Sequence, residues 1–376
     1  MRIVCVVGTR PEVIKMAPVI LELRTRPWAQ VSVLSTAQHR NLTAPLLSFF
    51  GIPVDHDLDA MRPDQGLPEL TGRLLPRIAA ILHAEQPELV IGQGDTTTVM
   101  ATAMACFYGH VAFAHVEAGL RTGDLQHPFP EEFNRLIAAK VATVNFAPTR
   151  AARANLLREG ADPAGIFMTG NTVIDALLWT SKRARKLPFP IAPGGRVLLM
   201  TLHRRESFGA PVRGVLSAIR RLVASNPDLS VIYPVHPNPQ VSRPAHELLG
   251  GVPRVHLCPP LDYPEMIAVM QRADIVLTDS GGIQEEAPAL GKPVLVTRET
   301  TERPEAVHEG VARLIGTDPD RIVEEVQRLL DDKQAYAAMA RGASPYGDGQ
   351  AARRIADVLQ RRRSRAEPQS AEPAYA

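Results

Sequence analysis

The chain of 376 residues is longer than one hydrophobic core usually supports, which favours two domains. Its 42 lysines and arginines are nearly balanced by 40 aspartates and glutamates, so the composition argues against a nucleic-acid-binding protein and against a polybasic membrane-binding protein. The three cysteines lie far apart, and no histidine spacing is typical of a metal site, which argues against disulfide bonds and structural zinc.

Short apolar runs recur along the chain, each followed by turn residues and a longer stretch with helical spacing. This pattern is typical of a parallel sheet flanked by helices. The first half contains predicted strands at 3–7, 31–35, 89–91, 112–116, 144–147 and 166–169. After a stretch rich in proline and glycine, further strands are predicted at 196–201, 230–233, 255–258, 274–278 and 293–296. The pattern therefore predicts an α/β fold with two Rossmann-like domains, residues 1–170 and 171–350.

Two helices are predicted near the C-terminus. Asp318 can cap the first and Pro319 can begin it, while Ile355 and Val358 mark the apolar face of the second, at 351–362. Residues 363–376 are polar and lack periodicity, so we predict a disordered tail. The chain starts directly on a strand pattern without a signal peptide, and no apolar stretch reaches the roughly 20 residues of a membrane span. We therefore expect a cytoplasmic protein.

Two turns between a predicted strand and a helix could bind an anion. In the first, GTRPE, a proline opens the helix, and free backbone N–H groups together with Arg10 and the nearby Lys15 could face a phosphate. An ordinary strand–helix junction with two surface bases fits that motif equally well. In the second, DSGGIQEE, Gly281 and Gly282 permit close approach of a diphosphate. There, the alternative is a glycine-rich turn followed by a solvated acidic helix face.

Three carboxylates of the first half are expected to cluster at one end of the predicted sheet. Asp95 lies in GQGDTT, Glu117 ends the next strand, and Glu131 lies in the proline-flanked segment PFPEEF. GQGDTT lacks the third glycine of a dinucleotide fingerprint, so we expect no nicotinamide site. Clustered carboxylates raise one another's pKa, which suits proton transfer near neutral pH. Alternatively, Asp95 could cap a helix and Glu131 could only favour a helix N-terminus.

Two histidines end strands of the second half. His203 stands beside two arginines, and His236 follows the next strand. A histidine at the carboxyl end of a strand is a better catalytic candidate than most, although a structural role is the usual one.

In their joint order, these segments resemble the non-hydrolysing UDP-N-acetylglucosamine 2-epimerases of bacteria. The matching stretches are GTRPEVIKMAP at 8–18, GDTTT at 94–98, HVEAGLRTG at 115–123, GNTVIDALL at 170–178, HRRESFG at 203–209, TDSGGIQEEAP at 278–288, TERPEAV at 301–307 and PYGDGQ at 345–350. The resemblance implies a glycosyltransferase B-type arrangement with the active site in the interdomain cleft. It also implies a homodimer, a final helix that returns to the first domain, and reversible conversion of UDP-N-acetylglucosamine to UDP-N-acetylmannosamine without a cofactor.

The resemblance also implies residue roles. Arg10 and Lys15 would lie near the diphosphate. The sugar would be met by Asp95, Glu117, Glu131 and His203, and UDP by Ser280, Gly281, Gly282, Glu286 and Arg303. A second molecule of UDP-N-acetylglucosamine would act as an activator bound by Gln38, His39, Gln65, Glu131, Arg204 and His236. Four positions depart from the family pattern: Asn41 and Asp64 near the activator site, and Leu261 and Met266 near the uracil pocket.

Three other functions are compatible with the motifs. A hydrolysing 2-epimerase would release free N-acetylmannosamine and UDP, and a B-type glycosyltransferase would need an acceptor site. A nucleotide-sugar sensor would leave the carboxylate cluster unexplained, because binding alone needs no groups that transfer protons.

Overall fold

The structure, a computed structural model, describes residues 1–36, 40–62, 65–183, 187, 191, 194–204, 207–301, 303–342 and 344–366, without the side chains of 40–42 and 365–366. The chain divides into two compact units. Unit 1 comprises Met1–Ala176 and the segment that begins at Gly347, and unit 2 comprises Leu177–Tyr346. The sequence predicted boundaries after residues 170 and 350, and the two units divide after residues 176 and 346. Each unit is a Rossmann-like α/β domain.

Unit 1 is built on a seven-stranded parallel sheet. Its strands are β1 (Arg2–Val7), β2 (Gln30–Ser35), β3 (His56–Asp57), β4 (Leu89–Gln93), β5 (Ala112–Val116), β6 (Val144–Ala147) and β7 (Ile166–Met168). Its helices are α1 (Arg10–Arg24), α2 (Arg40–Phe50), α3 (Leu67–Glu85), α4 (Thr97–Tyr108), α5 (Glu131–Val141), α6 (Arg150–Arg158) and the first half of α7 (Thr172–Ser181). The spatial order is β3-β2-β1-β4-β5-β6-β7, so the direction of winding reverses between β1 and β4.

Unit 2 repeats this plan with six parallel strands. They are β8 (Arg196–Thr201), β9 (Leu229–Pro234), β10 (Val255–Cys258), β11 (Ile275–Thr278), β12 (Val294–Val296) and β13 (Ala312–Leu314). The helices are α8 (Ala210–Ser225), α9 (Pro239–Leu249), α10 (Tyr263–Arg272), α11 (Gly281–Ala289), α12 (Pro304–His308), α13 (Pro319–Asp331) and α14 (Lys333–Met339). The order β10-β9-β8-β11-β12-β13 reverses between β8 and β11.

The strands formed where the sequence has continuous apolar runs. Residues 3–7 of β1 are at most 1% exposed, because helices cover both faces of a parallel sheet and leave no polar side to the strand. All eleven strands predicted from the sequence are present with shifts of at most two residues at their ends. Two strands were missed, β3 and β13, because two or three residues are too short to show a pattern.

The N-cap and first residue predicted for α13 are confirmed. The carboxylate of Asp318 accepts a hydrogen bond from the backbone N–H of Arg321 at 2.9 Å, and Pro319 is the first residue of α13. A final helix, α15 (Ala351–Ala366), belongs to unit 1 and packs on α1. Just beyond the end of α1, Arg26 Nη2 donates to Asp357 Oδ1 at 2.9 Å.

The disordered tail predicted from residue 363 is wrong for 363–366, which continue α15. These polar residues lack an apolar period, but arginine and alanine are strong helix formers and extend a helix that packing has already established. The rest of that prediction lies outside the described residues. None of the helices that the structure describes has the length and apolar character needed to cross a lipid bilayer.

Candidate functional site

Three of the predicted site residues, Asp95, Glu117 and His203, follow strands at or beside the point where the winding of each sheet reverses. In unit 1, Gly8 follows β1 and Asp95 lies just beyond β4, while Glu117 directly follows β5. In unit 2, His203 lies just beyond β8 and Asp279 directly follows β11. Doubly wound α/β domains bind ligands at the carboxyl ends of their strands at this reversal, so the topology supports both groups as ligand-binding.

Glu117 is the most heavily bonded of the predicted carboxylates. It is 8% exposed, and Lys15 Nζ donates to its Oε1 at 2.6 Å. Asn171 Nδ2 also donates to Oε1, at 3.0 Å, and Gln93 Nε2 donates to Oε2. The backbone of Glu117 has a φ of 64°, a left-handed conformation that is uncommon outside glycine and is often found at functional sites. The carboxylate is therefore held at a fixed position at the sheet edge.

Asp95 lies in the same charged cluster of unit 1. Its Oδ2 is 2.5 Å from Arg135 Nη2, and the side chain keeps 30% of its surface exposed. Partial burial raises the pKa of Asp95, Arg135 and Lys15 oppose that rise, and Glu117 and Glu131 add to it. The structure therefore brings the other two predicted carboxylates, Glu117 and Glu131, within electrostatic range of Asp95.

The helix cap proposed as an alternative role for Asp95 is wrong. The N-cap of α4 is Thr96, whose hydroxyl accepts from the N–H of Val99 at 3.3 Å. Asp95 contributes its backbone to the site instead, because its carbonyl accepts a 2.9 Å hydrogen bond from Asn134 Nδ2. The carboxylate is thus left to its ion pair and to a ligand.

The two glutamates of PFPEEF differ in their contacts. Glu132 is 1% exposed and accepts hydrogen bonds from the N–H groups of Thr122 and Gly123 at 3.1–3.2 Å, which fixes the loop after β5. Glu131 is half-buried as the first residue of α5, and its carboxylate has no hydrogen-bond partner among the described residues. Glu131 is therefore the member of the pair that is available to a ligand.

The turn after β1 differs from the sequence-based expectation. The N–H groups of Gly8 and Thr9 are not free, since both donate to Glu12 Oε2, at 3.0 and 2.6 Å. The helix N-terminus is thus occupied by a carboxylate of its own chain, an arrangement known as a capping box. The guanidinium of Arg10 has no hydrogen-bond partner in the described part of the chain, so it is the group of this turn that could meet an anion.

In unit 2, a buried aspartate orients His203. Asp279 Oδ2 accepts from the N–H groups of His203 and Arg204, both at 2.8 Å, and Oδ1 lies 3.0 Å from His203 Nδ1. Burial opposes ionisation of Asp279, but His203 and the two N–H donors outweigh it, so the pKa of Asp279 is lowered. The His203 side chain is 38% exposed. Because Nδ1 faces the aspartate, Nε2 is the ring nitrogen left for a ligand.

The glycine-rich turn of unit 2 leads into α11. Ser280 precedes the helix without using its hydroxyl as a cap, and Gly281 faces the guanidinium of Arg303, to which an added Cβ would come within 3.3 Å. The solvated acidic helix face that was the alternative here is wrong. Glu285 is 3% exposed and accepts from Arg303 Nε at 2.7 Å, and Glu286 is 7% exposed and accepts from the Tyr263 hydroxyl at 2.9 Å.

The residues expected to bind an activator are distributed over both units. Gln38 and His39 lie outside the described residues, as do Asp64 and the side chain of Asn41. Gln65, in unit 1, accepts from Arg73 Nη1 at 2.8 Å. In unit 2, the rings of His203 and His236 have centroids 6.1 Å apart, and partial burial together with His203 lowers the pKa of His236.

A family model described as UDP-N-acetylglucosamine 2-epimerase matches residues 21–360. The chain belongs to this family. It is 49% identical over 374 residues to a UDP-N-acetylglucosamine 2-epimerase of Escherichia coli (strain K12), covering 96% of this chain and 99% of that protein. It is 45% identical over 360 residues to the Bacillus subtilis (strain 168) enzyme, covering 96% and 95%. It also resembles a crystal structure of the Neisseria meningitidis enzyme bound to UDP-N-acetylglucosamine, with a TM-score of 0.88, 41% identity and coverage of 96% and 100%.

The sequence of this epimerase family member did not predict several residues that form hydrogen bonds with the candidate site. They are Glu12, Gln93, His115, Asn134, Arg135, Asn171 and Asp279. Burial lowers the pKa of His115 to about 4, so its ring is neutral and Nε2 donates to the Gly94 carbonyl at 2.7 Å. A polar residue within an otherwise apolar strand was the only signal for His115 and Gln93. Within the described ranges, no group of three or more metal-ligating side chains could hold a metal ion.

Proposed function

We propose that the chain catalyses the reversible inversion of C2 in UDP-N-acetylglucosamine, giving UDP-N-acetylmannosamine without an added cofactor. The observation that carries the proposal is the carboxylate cluster of unit 1. Glu117 and Glu131 both act electrostatically on the carboxylate of Asp95, and Lys15 pairs with Glu117 in the same cluster. A cluster of this kind can accept and return protons near neutral pH, which an epimerisation requires and simple binding does not.

The reaction is an elimination followed by a readdition. The C2 proton of an N-acetylamino sugar is not acidic, so its removal must accompany departure of UDP from C1. The C2–H and C1–O bonds break, a C1–C2 double bond forms, and the products are UDP and a 2-acetamidoglucal. Readdition of UDP, with a proton delivered to the opposite face of C2, gives the epimer. Carboxylates must therefore serve both faces, and Asp95, Glu117 and Glu131 are the candidates.

Cationic and dipolar groups stabilise the leaving diphosphate. Arg10 and Lys15 are assigned to it in unit 1, because charge that develops on the leaving group is best met by positioned cations. In unit 2, the residues assigned to UDP are Ser280, Gly281, Gly282, Glu286 and Arg303. His203 is assigned to the sugar end of the substrate. Its ring is held by Asp279, which gives the imidazole a defined orientation for hydrogen bonding or proton transfer.

The experiment that tests this function is incubation of the protein with UDP-N-acetylglucosamine in deuterated water, followed by NMR. Epimerisation predicts deuterium at C2 of an intact UDP-sugar. Release of free N-acetylmannosamine would instead identify a hydrolysing enzyme. No change at all would leave a glycosyltransferase or a sensor and would contradict the proposal.

Regulation, assembly and cellular context are also proposed. UDP-N-acetylglucosamine would act as an activator through Gln38, His39, Gln65, Arg204 and His236. An activated enzyme should show a lag when it starts from pure UDP-N-acetylmannosamine, and a trace of UDP-N-acetylglucosamine should abolish the lag. We further propose a cytoplasmic homodimer that supplies a precursor of surface polysaccharide.

A further inference from the structure

Glu12 is a buried carboxylate that the proposed reaction does not use. It is 1% exposed, and its Oε2 accepts from the N–H groups of Gly8 and Thr9. Its other oxygen, Oε1, accepts a 2.7 Å hydrogen bond from the hydroxyl of Thr96, which is 84 residues away in the chain. Glu12 therefore joins the turn after β1 to the turn after β4.

A capping box accounts for only half of these bonds. In the capping box of α10, Glu265 Oε2 bonds back to the N–H of Asp262 at 3.0 Å at an exposed helix start. Glu12 makes the equivalent bonds through Oε2, but capping does not require the bond from Oε1 to Thr96. A solvent-exposed glutamate would also cap α1 at a lower desolvation cost.

The buried position of Glu12 is energetically unfavourable for a carboxylate. No lysine, arginine or histidine among the described residues forms an ion pair with it. Burial raises the pKa of Glu12 to about 7, although hydrogen bonds from Thr96 and from the two backbone N–H groups oppose the rise. Burial of this carboxylate is costly, and capping alone does not need it. We therefore expect Glu12 to hold the turn that it reaches through Thr96 in a defined position.

The turn that Glu12 reaches carries Asp95. Three consecutive residues of this turn are each held by a different buried side chain. The carbonyl of Gly94 accepts from His115, that of Asp95 accepts from Asn134, and the hydroxyl of Thr96 donates to Glu12. Gly94 has a φ of 82°, and a glycine has no Cβ that would restrict its backbone. The backbone of Gly94 therefore does little to fix the turn by itself. The direction of the Asp95 side chain therefore depends on these three anchors of its backbone as well as on its ion pair with Arg135.

We propose that Glu12 is a positioning residue whose hydrogen bond with Thr96 sets the location of the Asp95 carboxylate. The inference rests on the proposed role of Asp95 in proton transfer. A displacement of about 1 Å in a reacting group can lower turnover by about 10²-fold, so loss of the bond should reduce kcat more than it changes KM.

The test compares Thr96→Val with Thr96→Ser. Valine has the shape of threonine without the hydroxyl, whereas serine keeps the donor. We expect Thr96→Val to lower kcat by about 10–10²-fold with KM within a few-fold of the wild type, and Thr96→Ser to stay near the wild type. The matched control is Thr149→Val, which removes the N-cap hydroxyl of α6, bonded to the N–H of Ala152 at 3.2 Å. Thr149→Val should lower the Tm, as Thr96→Val should, because each change removes a helix N-cap. Unlike Thr96→Val, it should leave kcat unchanged.

A second comparison uses an Asp95→Asn background. If the hydrogen bond between Glu12 and Thr96 acts through Asp95, Thr96→Val should add no further loss of kcat to Asp95→Asn. Two results would overturn the proposed role of the Glu12–Thr96 hydrogen bond and leave that of Asp95 intact. In the first, the double variant loses the product of the two single-variant losses of kcat. In the second, Thr96→Val keeps the wild-type kcat while Asp95→Asn is impaired. Normal kcat in Asp95→Asn would instead overturn the proposed role of Asp95. Glu12→Asp carries the same test if Thr96→Val does not fold, because the shorter side chain cannot reach both turns.

Discussion

Lys15 and Glu117 form an ion pair in which Nζ lies 2.6 Å from Oε1, with the two side chains only 15% and 6% exposed. The pair joins α1 to the end of β5. A buried charge that loses its partner is strongly destabilising, at about 3–5 kcal/mol, whereas removal of both charges is often tolerated. We therefore expect Lys15→Met to lower the free energy of unfolding more than the double change Lys15→Met, Glu117→Gln.

The same pair separates stability from activity. The double variant should regain stability measured by urea unfolding but remain inactive, because both the cation and the carboxylate proposed for the reaction are gone. If the double variant were less stable than Lys15→Met, or if it were active, the pair would not have the assigned role.

The pH dependence of stability should reflect Glu12. Burial raises the pKa of this carboxyl from its ordinary 4.5 to about 7, so the folded protein binds a proton that the unfolded chain has already released. The free energy of unfolding contributed by this group therefore falls as pH rises through that window. We expect the wild type to lose stability relative to Glu12→Gln between pH 5 and pH 7.5. Denaturation curves at the two pH values measure this, and parallel changes in the two proteins would contradict it.

The C-terminal helix should depend on Asp175. Its carboxylate accepts from the N–H groups of Ala351 and Ala352, at 3.2 and 2.9 Å, and so caps α15 from a distant part of the sequence. Loss of a cap costs about 0.5–2 kcal/mol. Asp175→Ala should therefore speed amide hydrogen exchange in the first turns of α15, whereas Asp175→Asn, which keeps an acceptor, should do so less.

A surface ion pair provides the control for that variant. Asp348 pairs with Arg354 Nη2 at 2.7 Å with both side chains more than a third exposed, and such pairs contribute little to stability. Asp348→Asn should therefore leave exchange in α15 nearly unchanged. Equal acceleration in Asp175→Ala and Asp348→Asn would refute the cap.

Gly282 offers a test of UDP binding that is independent of stability. A Cβ added there meets no protein atom within 4 Å, so Gly282→Ala should stabilise α11 by about 0.5–1 kcal/mol through helix propensity. If the diphosphate approaches this backbone closely, the methyl group should weaken UDP binding measured by calorimetry. Gly72→Ala in α3, where the added Cβ is equally unobstructed, should raise the Tm without any effect on UDP. Unchanged UDP affinity in Gly282→Ala would remove this glycine from the UDP site.

The sequence predicted the fold best where a single physical requirement determines the local structure. Strands buried on both faces need continuous apolar runs, and this made β1 and β8 predictable almost to the residue. The carboxylates Asp95 and Glu117 were found because they end such runs. The contacts that hold them were not predictable, since Asn171 and Arg135 come from distant segments and look like ordinary polar residues. The occupied turn after β1 was missed for a similar reason, because a glutamate near a helix start usually faces solvent.

In the proposed reaction, the carboxylates of unit 1 move the C2 proton. The most direct measurement is the rate of C2 deuterium incorporation into saturating UDP-N-acetylglucosamine by Asp95→Asn, Glu117→Gln and Glu131→Gln, compared with the wild type. Positioned acid–base groups contribute about 10²–10⁴-fold, so each variant should lose a factor in that range while it still binds UDP. Arg10→Ala should lose substrate affinity as well, because the contact proposed between Arg10 and the diphosphate would already form in the ground state. Near-normal deuterium incorporation in all three carboxylate variants would show that these carboxylates do not move the C2 proton.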